Sequence, residues 1–151
     1  MSHFHEHFKR QFNTLYELAD GSYNERGLSF SMYIQTAKDL VQHLTFHHTY
    51  EERNFFPSLA EKMPQFSQAD KGDHLQSHQA IHEGLDKLES LADNWSKNPT
   101  EYSPAEMKAC LDGFREVLFR HLNQEVSDLR GENLQKYFSV EEIEALLLLF
   151  H

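Results

Sequence analysis

The part of this sequence best suited to chemistry is two pairs of histidine and glutamate, in each of which the two residues are four positions apart. His47 precedes Glu51, and His121 precedes Glu125. Residues at positions i and i+4 occupy one face of an α-helix, so the imidazole and carboxylate of each pair can converge on one ion. A single pair of this kind is also common on a solvated helix face, where it forms a local ion pair. The two pairs together indicate a metal site.

Three further histidines lie at positions suited to the same role. His78 and His82 share the four-residue spacing, and both lie on the apolar stripe of their helix. His5 lies within about 60° of the stripe that begins with Phe8. An H-x3-H pair also arises by accident, and a lone histidine near an N-terminus is commonly a surface residue. None of these three histidines indicates a metal site alone, and each is a candidate ligand only in combination with the others.

Apolar residues recur at helical spacing in four long stretches separated by turn residues. We predict helices over about residues 3–19, 29–63, 68–95 and 104–130, with Pro57 bending the second and Ser67 capping the third. Pro104 suits the first position of the fourth. A capping box at Ser139 and Glu142 begins a short fifth helix. The pattern predicts an all-α fold, a single domain over residues 1–151 built as an antiparallel up-down four-helix bundle with a short extra C-terminal helix.

The second and fourth helices share a frame in which matching residues are 74 positions apart. His47 matches His121, Glu51 matches Glu125, and four apolar positions match apolar ones, which suggests a duplicated helical hairpin. The neighbouring His48 matches Leu122 in this frame. We therefore expect His48, like its neighbour Glu52, to have an outer role rather than to bind metal. His74 remains an open candidate.

The candidate ligands also lie at one level of the bundle. Counted from the opposite end of each helix, the five histidines lie 13 to 17 residues along it, which corresponds to roughly 20–26 Å at the rise of an α-helix. Buried polar groups without partners cost several kcal/mol each, so a metal is the economical partner for such a layer. The mixture of imidazole and carboxylate without thiolate suits iron, manganese or zinc. The predicted layer contains His5, His47, Glu51, His78, His82, His121 and Glu125.

Composition limits the other functions. The net charge is −10 and no run is rich in Lys or Arg, so we expect no nucleic-acid partner. The single cysteine, Cys110, forms no internal disulfide, which favours a reducing compartment. The first residues do not resemble a leader peptide, and the apolar run Ala145–Phe150 is too short to span a membrane. We expect a cytoplasmic protein without a membrane partner. Motifs for acyl or phosphoryl transfer are absent, and we assign no catalytic residue.

Four segments carry a resemblance to a known family. The segment HEHFKRQFNTLY (5–16) is similar to the first helix of the hemerythrin-like (HHE cation-binding) family, with His5 in the ligand place. HHTYEERNFFPSL (47–59) resembles its second-helix motif, HQAIHEGLDKL (78–88) its third-helix motif, and HLNQE (121–125) its fourth-helix pair. The chain is most similar to small single-domain fungal members. The resemblance implies a bundle holding two iron ions in a non-haem di-iron centre, with an oxo or hydroxo bridge. Its ligands would be His5, His47, Glu51, His78, His82, His121 and Glu125, with both glutamates bridging.

One position departs from the family's oxygen carriers. They place an aspartate five residues after the fourth-helix histidine, where this chain has Val126, and here Glu125 follows after four. The implied partner is O2 or another small diatomic or anionic ligand, with oxygen or iron sensing, storage and redox chemistry all open. The alternatives are a di-iron peroxidase or oxidase and a zinc-stabilised structural bundle. A ferritin-like centre is disfavoured because no histidine here follows a glutamate by three residues.

Overall fold

Four long helices make up most of the protein. The computed structural model describes residues 2–55, 57, 59, 62–63, 73–128 and 137–143. These residues contain no strand, which confirms the all-α prediction. Short 3₁₀ turns over Ser22–Arg26 and Pro99–Glu101 connect helices at one end. The helices are α1 (Ser2–Glu17), α2 (Phe30–Tyr50), α3 (Asp73–Lys97) and α4 (Pro104–Asp128).

Serine side chains cap the N-termini of helices at three places. The Ser29 hydroxyl accepts a hydrogen bond from the Met32 amide at the start of α2, and the Ser103 hydroxyl accepts one from the amide of Glu106 in α4. Each bond satisfies a backbone donor that the first helical turn leaves unpaired. The capping box of Ser139 and Glu142 forms in both directions. The expected cap at Ser67 lies outside the described residues.

The second helix changes its winding before Pro57. A π-helix over Glu51–Phe55 follows α2 directly, whereas the sequence predicted one continuous helix bent at Pro57. Its i→i+5 hydrogen bonds widen the turn, so side chains after Tyr50 rotate relative to an α-helical frame. Pro57 and Leu59 are again helical, and Leu59 is buried. The wide turn includes Glu51 and Glu52, two of the residues considered for the metal site.

The four helices pack as a closed ring. α1 contacts α2 and α4, and α3 contacts the same two helices. The histidine layer includes the first third of α1 and α3 but the last third of α2 and α4, so consecutive helices run in opposite directions. This is the predicted up-down bundle. None of the described helices is both long and apolar enough to cross a membrane.

Aromatic side chains close the end of the bundle opposite the histidine layer. Tyr33 stacks on Tyr23, and Trp95 packs edge-on against Tyr102. The hydroxyl of the fully buried Tyr33 donates a hydrogen bond of 2.6 Å to the carbonyl of Leu15. Burying a phenol requires such a partner. These contacts join the end of α1 to the start of α2, and the end of α3 to the turn before α4, which holds the helices in register with each other.

Gly84 of α3 lies directly against the side chain of Phe114 on α4. A Cβ atom at Gly84 would lie 2.3 Å from Cδ1 of Phe114 and 2.7 Å from its Cβ. Phe114 is almost fully buried and packs edge-on against Phe12. Its ring therefore has little room to move aside. The absence of a side chain at Gly84 is a packing requirement two residues after His82.

We predict that Gly84→Ala destabilises the protein by about 1–3 kcal/mol, because overpacking a rigid core costs roughly that amount. Gly113→Ala on α4 is the matched control, since a Cβ atom there meets nothing within 4 Å. The control should be stabilised by up to about 1 kcal/mol through helix propensity. Urea unfolding of both variants measures the difference. Equal midpoints would show that α3 and α4 separate easily.

Candidate metal centre

Buried histidines and glutamates from all four helices meet at one level of the core. One group of potential ligand atoms comes from His5 of α1, His47 of α2 and Glu125 of α4. Within each group the ligand atoms lie within 4.8 Å of one another. The second group adds members from α3 and from the π-helix: His48, Glu51, His78 and His121.

The Glu125 carboxylate connects the two groups. Its Oε1 lies 3.1 Å from Nε2 of His5 and 3.9 Å from Nε2 of His47. Its other oxygen, Oε2, lies 3.1 Å from Nε2 of His121 in the second group. One carboxylate oxygen therefore faces each group.

Glu51 also reaches both groups. Its Oε1 lies 3.2 Å from Nε2 of His47 and 3.7 Å from Nε2 of His78. Glu51 and Glu125 are both fully buried. Two carboxylates placed between two sets of imidazoles are arranged as bridging ligands.

Hydrogen bonds on the far side of two rings determine which nitrogen faces the centre. Nδ1 of His5 donates to the carbonyl of Leu122 at 3.0 Å. Nδ1 of His78 donates to the carboxylate of Glu52 at 2.9 Å. In both rings Nε2 is then the lone-pair nitrogen and points inward. Partners of this kind orient metal-binding histidines and increase their basicity.

The two carboxyl groups have opposite pKa shifts. Burial raises the pKa of Glu51 well above its usual value, and the charge of Glu125 raises it further. Burial also acts to raise the pKa of Glu125, but the polar groups of Glu51, His121, His47 and His5 that face its carboxylate outweigh burial and hold that pKa well below its usual range. Without metal, a proton on Glu51 therefore stabilises the ionised Glu125.

Two imidazoles of the second group, those of His48 and His78, are held neutral. Burial lowers the pKa of His48 well below its usual value, and the neighbouring His78 and His121 lower it further. Burial lowers the pKa of His78 to about 4 despite its hydrogen bond with Glu52. A neutral imidazole has a free lone pair, which is the form that binds metal.

Several buried atoms of the cluster make no hydrogen bond within the described structure. They are Nε2 of His5, both ring nitrogens of His48 and both oxygens of Glu51 and of Glu125. Unpaired buried polar groups cost about 1–3 kcal/mol each, and more when charged. The ligand atoms that these residues offer face one another, within 4.8 Å inside each group. This donor set fits metal ions, which would satisfy all of these atoms at once.

The structure brings together six of the seven predicted ligands and adds one residue. His82 is half-buried and outside both groups, although its ring lies 5.5 Å from that of His48. His48 is fully buried and inside the second group, whereas the sequence favoured an outer role for it. Glu52 takes an outer role, as expected, as the partner of His78. His43 is exposed, and the side chain of His74 is outside the described residues.

The burial of His48, though not its place in the second group, could have been found from the repeat. Its counterpart Leu122 is fully buried, as are Leu44 and Leu118 of the shared frame. A residue that matches a core leucine faces the core. The repeat has no second histidine at the position that matches His48. The leucine found there indicates instead that the side chain at position 48 is buried.

Apolar side chains separate the cluster from solvent. The Phe8 ring packs against the ring of His47 at 5.3 Å, and Phe12 lies one turn further along α1. Burial raises the pKa of the Cys110 thiol, which suits a packing role rather than a reactive one. The cluster therefore lies in a largely dry environment.

The fold and the cluster together define a class of protein, an all-α bundle with a buried histidine–carboxylate cation site. Residues 1–130 match the model of the hemerythrin HHE cation binding domain. The chain belongs to this family.

One curated relative is the dimeric xanthone biosynthesis cluster protein R11 of Cryptosporiopsis sp. (strain 8999). It is 31% identical over 128 residues, which cover 83% of this chain and 46% of that protein. The chain thus spans less than half the length of this relative. No solved structure matches the chain significantly.

We predict that Glu125→Ala removes most of the bound metal, because three imidazoles lose the carboxylate that faces them. The increase in melting temperature that metal produces should disappear with it. Glu116→Ala is the control, since Glu116 lies on the same helix and its side chain is 90% exposed. Elemental analysis and thermal unfolding measure both effects. Full metal content in Glu125→Ala would exclude this carboxylate as a ligand.

A second pair of variants tests the adjacent glutamates. Glu51→Ala should release metal, whereas Glu52→Ala should weaken metal affinity by about 10–100-fold, the usual effect of losing the partner of a metal-binding histidine. Titration with metal against a competing chelator measures the difference. If Glu52→Ala releases the metal while Glu51→Ala keeps it, the assignment of the two residues is reversed.

Proposed function

We propose that this protein is a non-haem di-iron protein of the hemerythrin type, whose centre meets O2 or a related small ligand. The observation that carries the proposal is that each of two buried carboxylates, Glu51 and Glu125, reaches imidazoles of both ligand groups. A single ion needs no bridging carboxylate. Two ions held side by side are commonly joined by carboxylates that contact both.

The number of donors also favours two ions. Six predicted ligands lie in the two groups, and the resemblance supplies a seventh, His82. Seven side chains exceed what one six-coordinate ion accepts. Five imidazoles, two bridging carboxylates and one bridging hydroxide would fill eleven of twelve octahedral positions. One position then remains for an external ligand.

The chemical nature of the donors supports iron as the metal. A thiolate-free set of imidazoles and carboxylates suits iron.

The residues of this chain prepare the centre for a small ligand. The iron pair would supply two redox-active ions able to bind or reduce O2. His5 and His78 are oriented by their outer hydrogen bonds, so their Nε2 lone pairs need no rearrangement. Phe8 shields the His47 side from bulk water. A dry, nitrogen-rich site of low negative charge favours the reduced form of the metal.

Among the roles open to such a centre, we favour sensing or redox chemistry over reversible oxygen carriage. Glu125 provides the fourth-helix carboxylate from a position four residues after His121, one earlier than in oxygen carriers of the family, and with a longer side chain. The single cysteine, Cys110, is buried and free, which suits a cytoplasmic location. The second candidate is a di-iron oxidase or peroxidase. The curated relative, whose name places it in a biosynthesis cluster, favours that candidate.

We expect two metal ions per chain, mainly iron, in protein isolated with iron available. Elemental analysis gives the ratio, and the colour of a ferric pair distinguishes iron from colourless zinc. The physical reason is that both carboxylates require a cation on each side. A reproducible ratio of one zinc per chain without iron uptake would instead favour the structural zinc bundle.

We expect the reduced protein to bind O2 and then to convert to the diferric form, rather than to release O2 unchanged. Stopped-flow mixing of anaerobically reduced protein with O2, followed by evacuation, measures this. The oxidised protein should then bind azide at its open position. Full and repeated recovery of the reduced spectrum would show a reversible carrier. Sustained turnover with peroxide and an electron donor would show the enzyme.

A further inference from the structure

We propose that His48, and not His82, supplies the fifth imidazole of the centre. This inference rests on the proposed function, because it concerns which residue completes the ligand set of the second metal. The resemblance to the family assigns that role to His82. The arrangement of the side chains assigns it to His48.

Burial distinguishes the two histidines. His48 is fully buried, and neither of its ring nitrogens makes a hydrogen bond within the described structure. A histidine in that condition loses the hydration of two polar atoms and gains nothing in return unless a ligand is bound. His82 is half-buried, so it has no comparable need for a metal.

Geometry distinguishes them as well. A ring nitrogen of His48 lies within 4.8 Å of the ligand atoms of Glu51, His78 and His121. No ring nitrogen of His82 belongs to either ligand group formed by the described residues. The ring of His82 makes an edge-to-face contact with that of His48, with centroids 5.5 Å apart and planes at 82°. His82 thus contacts a member of the second group without belonging to it.

Ring contacts hold His48 in place. It stacks on His78 with centroids 3.7 Å apart and planes within 9°, and it meets His121 edge-on at 5.5 Å. His78 is itself held by Glu52. Other metal-binding histidines are oriented by a hydrogen bond. His48 is instead oriented by stacking on the fixed ring of His78. Parallel stacking leaves the in-plane lone pair of His48 free.

The winding of the second helix explains why two adjacent histidines both reach the centre. His47 and His48 lie about 100° apart on α2, and the Glu51 amide bonds to both of their carbonyls at the start of the π-helix. His47 faces α1 through Phe8, and His48 faces α3 through His78. Position 48 therefore supplies a ligand to the group that faces α3.

The test compares His48→Leu with His82→Leu. Leucine is the residue that the repeat places at the matching position, Leu122, so it suits a buried site on this helix face. His43→Leu is the control, since His43 is an exposed histidine of the same helix. Each purified protein is loaded with iron and, separately, with Co²⁺, whose visible bands report coordination without redox chemistry. Metal per chain and the absorption spectrum are measured.

We expect His82→Leu and the control to retain two metals per chain with the wild-type spectrum. His48→Leu should retain about one, with altered cobalt bands. Loss of a metal from His82→Leu with retention by His48→Leu would overturn the inference, as would full retention by both. If His48→Leu does not fold, His48→Ala with added imidazole replaces it, and recovery of the second metal supports the inference while failure to recover contradicts it.

The same panel separates this inference from the proposed function. A wild-type protein that binds two Co²⁺ ions but no iron would contradict the di-iron proposal. The comparison of His48 with His82 would still be decided by the cobalt spectra. A wild-type protein that binds iron, with His82 as the residue it requires, would contradict only the inference.

Discussion

The burial of two carboxylates among imidazoles is the constraint on which the rest of this structure depends. Glu51 and Glu125 are fully buried, and an uncompensated buried charge costs several kcal/mol. Without metal, opposite pKa shifts reduce this cost: the pKa of Glu51 is raised, which favours its protonated form, and the pKa of Glu125 is lowered, which favours its ionised form. Bound metal ions would give the inward-facing atoms partners, and binding of that kind couples metal affinity to folding.

The two ends of the bundle have different roles: one end fixes the positions of the helices, and the other carries the buried polar cluster. At the far end, tyrosine and tryptophan side chains and the hydrogen bond from Tyr33 to Leu15 hold the helices in register. Between the ends, close packing at Gly84 leaves α3 and α4 little freedom to move apart. Five histidine rings can then meet within a few ångströms at the other end because their helices are already positioned. A polar layer alone would not fix that geometry, since it is destabilising until metal binds.

The departure from regular helix at Glu51 has a functional consequence. In an α-helix, adjacent residues point about 100° apart, so one of any two neighbours faces away from a given partner. Here Glu51 approaches Nε2 of His78 while Glu52 accepts a hydrogen bond from its Nδ1. The wider π-turn, which often occurs at functional sites, lets both carboxylates serve the same ring. It places a carboxylate that reaches both ligand groups next to one that orients a ring, without a second helix.

Much of this arrangement is encoded locally. Apolar periodicity determined the four helices, the His–Glu spacing selected the ligand types, and the 74-residue repeat placed both pairs on core-facing positions. All of these follow from a constant rise and rotation per residue. The tertiary structure decided what that regularity cannot: where α2 gives way to a π-turn, and which of His48 and His82 approaches the second group. Those outcomes depend on ring stacking between α2 and α3, and a contact between distant segments has no signal in the spacing of either one.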